Sequence, residues 1–568
     1  RRPFPIAVNL SNCKYELLRL IQKKLGWKEV GDEDDWQVYW TDTSVSIERI
    51  MRLARTQKIN HFTGMLEICR KKSLARNMNR MAAIFPNDFN YVPKTFILPA
   101  DTQDFLSQFS SKKRKTWILK PDSGCQGKGI VLVQDKESAQ HAVSMLATEN
   151  VVAQRYLGKP FLIDGYKFDL RIYVLVISCD PLRVFIYNDG LARFCTELYS
   201  PPRPENLDTA CMHLTNYAVN KHNENFNFND DASNRDEGSK WSLLGLREWM
   251  DNNGHDFDAC WEGICDMTIK TLCSIQPILA HNYHSVLPAD NDGFSCFEIL
   301  GIDVMLDDKL KPWLVEVNHS PSFGIDTPLD LQIKEDLISD TIELVKVDPR
   351  AIKRQLAAEK EEARNRLWGA VKSAGTAAKA ANALASGARG NENSKPGSSG
   401  RPSASGPQKP SAATASTAGR TSLPEVARTG PRTGGALPKP EVRTAGTAKA
   451  VTGGAAGVGR AGATPASTSS SAAAAAAAAE AAEEAAAKRA KALRLREKHE
   501  EKCFAAGTGY QRIYPTGDPT KDAMYAKFLE GAQRNFRDSF QSRVRDTLER
   551  VKEGHLQRKG EAVKPFTS

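Results

Sequence analysis

Along the first 350 residues the apolar positions change period repeatedly. Short runs rich in β-branched and aromatic residues predict strands: WQVYW (36–40), TWILK (116–120), GIVLV (129–133), VVAQRYL (151–157), FDLRIYVLVIS (168–178) and RVFIYND (183–189). Helical patterns are interleaved with them. Two later runs, FEILGIDVMLD (297–307) and KPWLVEVNHS (311–320), lie a few residues apart with Asp307, Asp308 and Lys309 as the turn, which predicts a hairpin. An antiparallel pair near a C-terminal helix points to an α+β domain rather than a parallel Rossmann sheet.

After residue 350 the pattern changes character. Residues 351–372 alternate charged and apolar positions at helical spacing, predicting an exposed basic helix. Residues 391–470 are rich in Gly, Pro, Ser, Thr and Ala, with ten basic and three acidic side chains, a composition too poor in apolar surface to fold. The alanine run from Ala472 and the charged stretch to Cys503 have high helix propensity, with acids early and bases late, and predict a solvated single helix. The last stretch holds GYQRIYP and an amphipathic segment suited to docking on a partner or on the body.

At 568 residues the chain has room for more than one domain. It opens on Arg1 rather than Met, as expected of a piece of a longer chain. No apolar run approaches the roughly 20 residues of a membrane span, so a soluble protein without a membrane partner is expected. Eleven cysteines include no CxxC pair, and Cys260, Cys265 and Cys273 do not match zinc-finger spacing; reduced thiols in a reducing compartment are expected. The net charge of +10 is unevenly divided. Residues 351–568 hold 37 basic and 20 acidic side chains, +17, leaving 41 and 48, or −7, in residues 1–350. Such a body with a basic appendage suits an enzyme tethered to a polyanion. Nucleic acid is disfavoured because the basic residues lack interleaved aromatics for stacking.

Three constellations carry candidate chemistry. In WILKPDSGCQGKGI (117–130), a strand ends at Lys120 and Gly124, Gly127 and Gly129 bracket a loop able to approach phosphate oxygens; it lacks the Walker pattern and runs strand to strand. On the late hairpin, Glu316 and Asn318 share one face and Asp303 comes opposite, three oxygen donors suited to magnesium beside nucleotide phosphates. In GYKFDLRIYVLV, Lys167, Asp169 and Arg171 share one face of an otherwise apolar strand, which requires mutual pairing or an anionic ligand.

KPDSGCQGKGI, DGYKFDLRIYVLV, MHLTNYAVNKH and FEILGIDVMLD…WLVEVNHSPSF, with YWTDTSVSIERI and QKINHFTGMLEICRKKSLARNM, closely resemble the tubulin tyrosine ligase-like family, an ATP-grasp group, over nearly all of residues 5–350. The strings are most similar to its glutamate-adding polyglutamylase branch. The resemblance implies an N-terminal subdomain (1–70), a central ATP-grasp subdomain (71–165) and a C-terminal one carrying the metal site (166–350). A basic microtubule-binding extension (351–390), a disordered linker (391–471), an Ala-rich helix (472–505) and a basic amphipathic end (506–568) would follow. ATP and Mg2+ are the implied cofactors. Lys120, Gln126, Gly127, Gln154, Arg155, Tyr156, Leu157, Lys167, Phe168, Asp169, Thr215 and Asn216 match nucleotide positions, and Asp303, Glu316 and Asn318 match the magnesium ligands. Arg193, Tyr217, Ala218, Lys240 and His319 match positions for free L-glutamate, with Arg193 and Lys240 pairing its carboxylates. Gln126 also matches an acceptor contact, and Arg171, Glu316 and His319 are the implied catalytic residues. The implied activity is ligation of glutamate onto the acidic tails of tubulin by a monomer in the cytoplasm and cytoskeleton, including cilia and basal bodies. The alternatives are an ATP-grasp ligase using glycine or tyrosine, or a non-catalytic microtubule-binding adaptor.

Overall fold

The computed structural model describes residues 5–110, 114–124, 127–146, 150–288, 291–366, 368 and 468–561. The segment expected to be a disordered linker, residues 391–471, lies outside them except at its last four residues, which are helical.

Three sheets carry the fold, which mixes α and β as expected. The first is parallel, in the order β2-β1-β3-β4, from β1 (Ala7–Asn9), β2 (Lys28–Val30), β3 (Val38–Tyr39) and β4 (Lys58–Ile59). The antiparallel hairpin read at residues 297–320 therefore does not typify this end of the chain. The helix Glu16–Lys24 crosses over between β1 and β2 and buries Leu17, Leu18 and Ile21, and such a crossover makes its flanking strands parallel. The second sheet is antiparallel in the order β5-β8-β6-β7, from β5 (Thr95–Leu98), β6 (Trp117–Pro121), β7 (Val131–Val133) and β8 (Val151–Arg155).

The third sheet is the largest. It holds β9 (Leu162–Ile163), β10 (Tyr166–Cys179), β11 (Leu182–Leu198), β12 (Lys240–Ser242), β13 (Glu298–Leu306), β14 (Pro312–Asn318) and β15 (Tyr510–Tyr514). Its path is β12-β11-β10-β13-β14, with β9 on β10 and β15 on β11. On β10, Leu170, Ile172, Val174 and Val176 enter one apolar core, while Tyr173, Leu175 and Ile177 enter another on the opposite face. Burial on both faces explains why this strand reads as a nearly continuous apolar run. The first and third sheets are joined by a buried imidazole: the His61 ring nitrogens lie 2.9 Å from the Thr41 carbonyl oxygen and 2.9 Å from Glu298, whose other oxygen accepts from the Phe62 N–H at 2.8 Å.

Of the basic helix expected over 351–372, the described residues are helical at 349–366 and largely exposed, while 367 and 369–390 lie outside them. The expectation of a solvated helix from Ala472 to Cys503 is corrected. The helix Thr468–Ala505 is largely exposed over residues 476–491, but its last turns are docked, with Arg496, Glu500 and Cys503 buried. Glu500 receives Arg183 in a two-pronged ion pair (3.0 and 2.5 Å), with Arg496 and Arg512 at 3.6 and 3.5 Å. The GYQRIYP segment supplies β15, and Tyr510 shares a 2.8 Å hydrogen bond with Thr341. Tyr525 and Phe528 of the helix Pro519–Glu561 then pack into the core of the body. Helix propensity alone could not reveal this docking, because the buried side chains are mostly charged. Among the described residues no helix is long and apolar enough to cross a membrane.

Removing one partner of a buried ion pair leaves an uncompensated charge, which typically costs about 3–5 kcal/mol. Glu500→Ala should accordingly lower unfolding stability by about 3 kcal/mol in denaturant titration, whereas Glu484→Ala, on the exposed part of the same helix, should change it by less than about 0.5 kcal/mol.

Candidate active site

The odd-numbered face of β10 is apolar at its distal end and charged at its proximal end, where Lys167, Asp169 and Arg171 face a cleft of about 520 Å³. Register brings the other strands to the same place. Asp169 pairs with Arg193 of β11, Arg171 with Asp303 of β13, and Asp303 with Glu316 of β14. The hairpin argument for Asp303 facing Glu316 therefore holds, with a register shift just after the pair. Asn318 lies two residues on, donating to the Gly301 carbonyl at 3.2 Å and to Glu316 at 3.3 Å. A Cβ on Gly301 would stand 2.9 Å from Pro321 and 3.2 Å from the Arg171 side chain, so only glycine leaves room for this arrangement.

The arginines are already committed to carboxylates. Arg171 donates to Asp303 at 2.6 and 3.1 Å, and Arg193 donates to both oxygens of Asp169, one at 2.9 Å, and reaches Asp303 at 2.9 Å. Burial opposes ionisation of Asp303, but the guanidinium groups of Arg171 and Arg193 outweigh it and hold its carboxyl well below the usual carboxylate range. Glu316 goes the other way: burial, then the facing charge of Asp303, push it up. Its nearest cation is the Lys71 ammonium at 3.9 Å, which also donates to the Gly124 carbonyl at 2.7 Å.

The two buried lysines that line the cleft donate only to neutral partners. Lys120 donates to the Gln154 side-chain oxygen at 2.8 Å, and Lys167 donates to the Tyr156 hydroxyl at 2.9 Å and the His213 carbonyl at 2.7 Å. Burial pulls Lys120 down to about 8 and lowers Lys167 as well. Both lysines thus bring positive charge to the cleft without a carboxylate as hydrogen-bond partner.

Most residues expected at the site line the cleft: Lys120, Gly127, Gln154, Arg155, Tyr156, Leu157, Lys167, Asp169, Arg171, Arg193, Thr215, Asn216, Tyr217, Ala218, Asp303, Glu316, Asn318 and His319. Gly127 has φ +79°, and a Cβ there would meet Val219 at 2.7 Å. Gln126 lies outside the described residues. Phe168 points away from the cleft, into the core against Phe194, because it has the opposite strand parity. Lys240 stands behind the wall, its ammonium 2.6 Å from Asp330 and 4.1 Å from the Tyr217 ring centroid. Burial, with the nearby His61 and Arg70, pulls His319 down to about 4, so the ring is neutral at pH 7. Lys71 and Arg70, which also line the cleft, were not singled out from the sequence; their only signal is the basic CRKK run that opens the helix Lys71–Ile84.

A family model described as the tubulin-tyrosine ligase family matches residues 49–355. Tubulin polyglutamylase TTLL6 of Mus musculus is 49% identical over 364 residues, covering 64% of this chain and 43% of that protein. Tubulin polyglutamylase TTLL13 of Mus musculus is 49% identical over 370 residues, 65% and 45% of the two chains. A "Probable beta-tubulin polyglutamylase" of Tetrahymena thermophila is 44% identical over 345 residues, 60% and 28%. The chain spans less than half the length of each of these relatives.

Lys120 gives a chemistry-independent test. Its folded value of about 8 lies below the roughly 10.4 of an unfolded lysine, so between those values the unfolded chain binds more protons and stability rises with pH. Lys120→Met should be more stable than wild type by about 1–3 kcal/mol at pH 7.5, and the gap should narrow towards pH 10, as read by denaturant unfolding at both pH values.

Proposed function

The chain belongs to the tubulin-tyrosine ligase family, and from that premise we propose that it is an ATP-dependent tubulin polyglutamylase, joining free L-glutamate to glutamate side chains or branches of tubulin tails. The observation that carries this reading is the division of charge in the cleft. Two lysines held by neutral acceptors face a pair of carboxylates on adjoining strands, an arrangement that suits a triphosphate bridged by a divalent ion. The relatives' names supply the acceptor: each is a tubulin or beta-tubulin polyglutamylase.

The donor set fits magnesium. Asp303, Glu316 and Asn318 offer oxygen ligands, and Glu316 is pushed up by burial and then by the facing charge of Asp303. Bound there, the ion would neutralise charge developing on the phosphates. Lys120 and Lys167 hold the phosphate oxygens, with the amides around Gly127 closing over them. Gln154 to Leu157, Thr215 and Asn216 line the remainder of the nucleotide site. Arg171 keeps Asp303 ionised and in place.

An acceptor carboxylate oxygen takes the γ-phosphoryl group and ADP leaves. The α-amine of the incoming glutamate, having lost its ammonium proton, attacks the acyl carbon of the resulting acylphosphate. Inorganic phosphate departs and an amide remains. His319, neutral at pH 7, accepts a hydrogen bond from the amine. We assign a substrate carboxylate to Nη1 of Arg193, since its contacts with Asp169 and Asp303 use Nε and Nη2. Lys240 acts by holding Tyr217 from behind, and Gln126 remains assigned to the acceptor side. We read the three sheets as the N-terminal, central and C-terminal lobes of an ATP-grasp core. We read the exposed helix at 349–366 as the start of a microtubule-binding extension that would hold the enzyme on the cytoskeleton, cilia included; such binding weakens with salt.

Radiolabelled glutamate, glycine and tyrosine, each offered with ATP, Mg2+ and microtubules, test the reading. Glutamate alone should be incorporated, and Glu316→Gln should reduce incorporation at least about 100-fold, equivalent to a loss of about 2.7 kcal/mol of transition-state stabilisation. Labelling by glycine or tyrosine instead, or a fully active Glu316→Gln, would overturn it. In the same assay, Arg193→Lys should raise KM for glutamate at least tenfold while KM for ATP stays within about twofold, because a lysine cannot reproduce the guanidinium fork.

A further inference from the structure

Far from the cleft, the docked C-terminal helix meets the helix Pro328–Val345 of the body. His499 and Cys503 stand one turn apart on the docked helix, with Glu343 opposite in the last turn of the other. One ring nitrogen of His499, the Cys503 sulfur and a Glu343 carboxylate oxygen all lie within 4.8 Å of one another. Among the described residues this is the only group of at least three His, Cys, Asp or Glu side chains that meets so closely. Cys503 Sγ is 3.6 Å from His499 Nε2. In a tetrahedral zinc site, with Zn–S of about 2.3 Å and Zn–N of about 2.0 Å, the sulfur–nitrogen edge is about 3.5 Å. The trio therefore already has the spacing of two ligands on one helix and a third across the junction. Cys503 is buried, His499 half-buried and Glu343 exposed, so the site is closed on its protein side and open to solvent where a fourth ligand would enter.

We propose that Glu343, His499 and Cys503 bind one zinc ion, with water as fourth ligand, and so clasp the C-terminal helix to the body. Thiolate, imidazole and carboxylate suit a borderline-soft dication and not magnesium, so the site does not compete with the cleft for its ion. Binding exchanges protons for metal. The thiol of Cys503 releases its proton to solvent, and the His499 Nε2 hydrogen, now donated to the Glu343 main-chain oxygen at 2.7 Å, gives way to the ion as the ring takes its Nδ1–H tautomer. The clasp joins helices separated in the chain by residues 346–467, and it lies beside the Arg183–Glu500 pair on the same docked helix.

The test uses the whole chain, freed of metal and then dialysed against zinc with magnesium in excess. Wild type should retain one zinc equivalent more than Cys503→Ser, His499→Gln or Glu343→Gln, by elemental analysis after gel filtration. Cobalt in place of zinc should give wild type a thiolate-to-cobalt charge-transfer band that Cys503→Ser lacks. Glu343→Gln alters an exposed side chain and retains the fold, so the comparison survives even if a buried substitution unfolds the chain; it should bind zinc at least tenfold more weakly. A zinc affinity unchanged by Glu343→Gln, or a thiolate–cobalt band absent from wild type, would overturn the site.

Discussion

The structure depends on one buried array of ion pairs laid across three strands, Asp169–Arg193–Asp303–Arg171. Each member is largely removed from water, and unpaired ions there would cost several kcal/mol apiece. Sheet register satisfies them in one step: β10 places Asp169 and Arg171 two residues apart, and its neighbours on either side bring Arg193 and Asp303 directly opposite. A slip of one residue in β11 or β13 would turn these charges into an apolar core and expose apolar residues to the cleft. The array thus fixes the register of the largest sheet and, with it, the position of Glu316 and Asn318 on β14.

A second constraint comes from the far end of β11. Arg183, at its start, is buried against Glu500, and the strand's edge is covered by β15. An uncovered edge would present unpaired backbone groups and a buried arginine without a counter-ion. The C-terminal return is therefore part of the folded body and not an accessory to it, although it follows a long stretch of low-complexity sequence.

Much of the site was legible before the structure because strand parity is a strict rule. Once FDLRIYVLV and the late hairpin are read as strands, Lys167, Asp169 and Arg171 must share a face, and Asp303 must come near Glu316. The same rule should have removed Phe168 from the nucleotide contacts, since it lies between Lys167 and Asp169 on the opposite face. Lys71 was not legible, because its role depends on a helix start meeting the Gly124 loop from a distant part of the chain. The docked helix was missed for a related reason. Its buried face is made of Arg496, Glu500 and Cys503, and a hydropathy pattern cannot distinguish charges paired across an interface from charges in water. The buried partner of Lys240 on β12, Asp330, comes from the helix Pro328–Val345, a contact that sequence alone does not show.

The pairing pattern also decides where the cleft attracts an anion, which neither net charge nor the motifs could do. Residues 1–350 carry a net −7, so their total charge does not mark a site for a polyphosphate. Within the cleft the guanidinium groups of Arg171 and Arg193 are paired with carboxylates. The ammonium groups of Lys120 and Lys167, by contrast, are held by an amide oxygen, a hydroxyl and a main-chain carbonyl. Burial lowers both lysines. Desolvation is the main cause of that depression, and a counter-charge in a water-poor cleft acts with little screening. Arg171 and Arg193 therefore build the frame, Arg193 keeping Nη1 for a ligand, while Lys120 and Lys167 keep neutral partners, a division that follows from the contacts each residue makes in the folded chain.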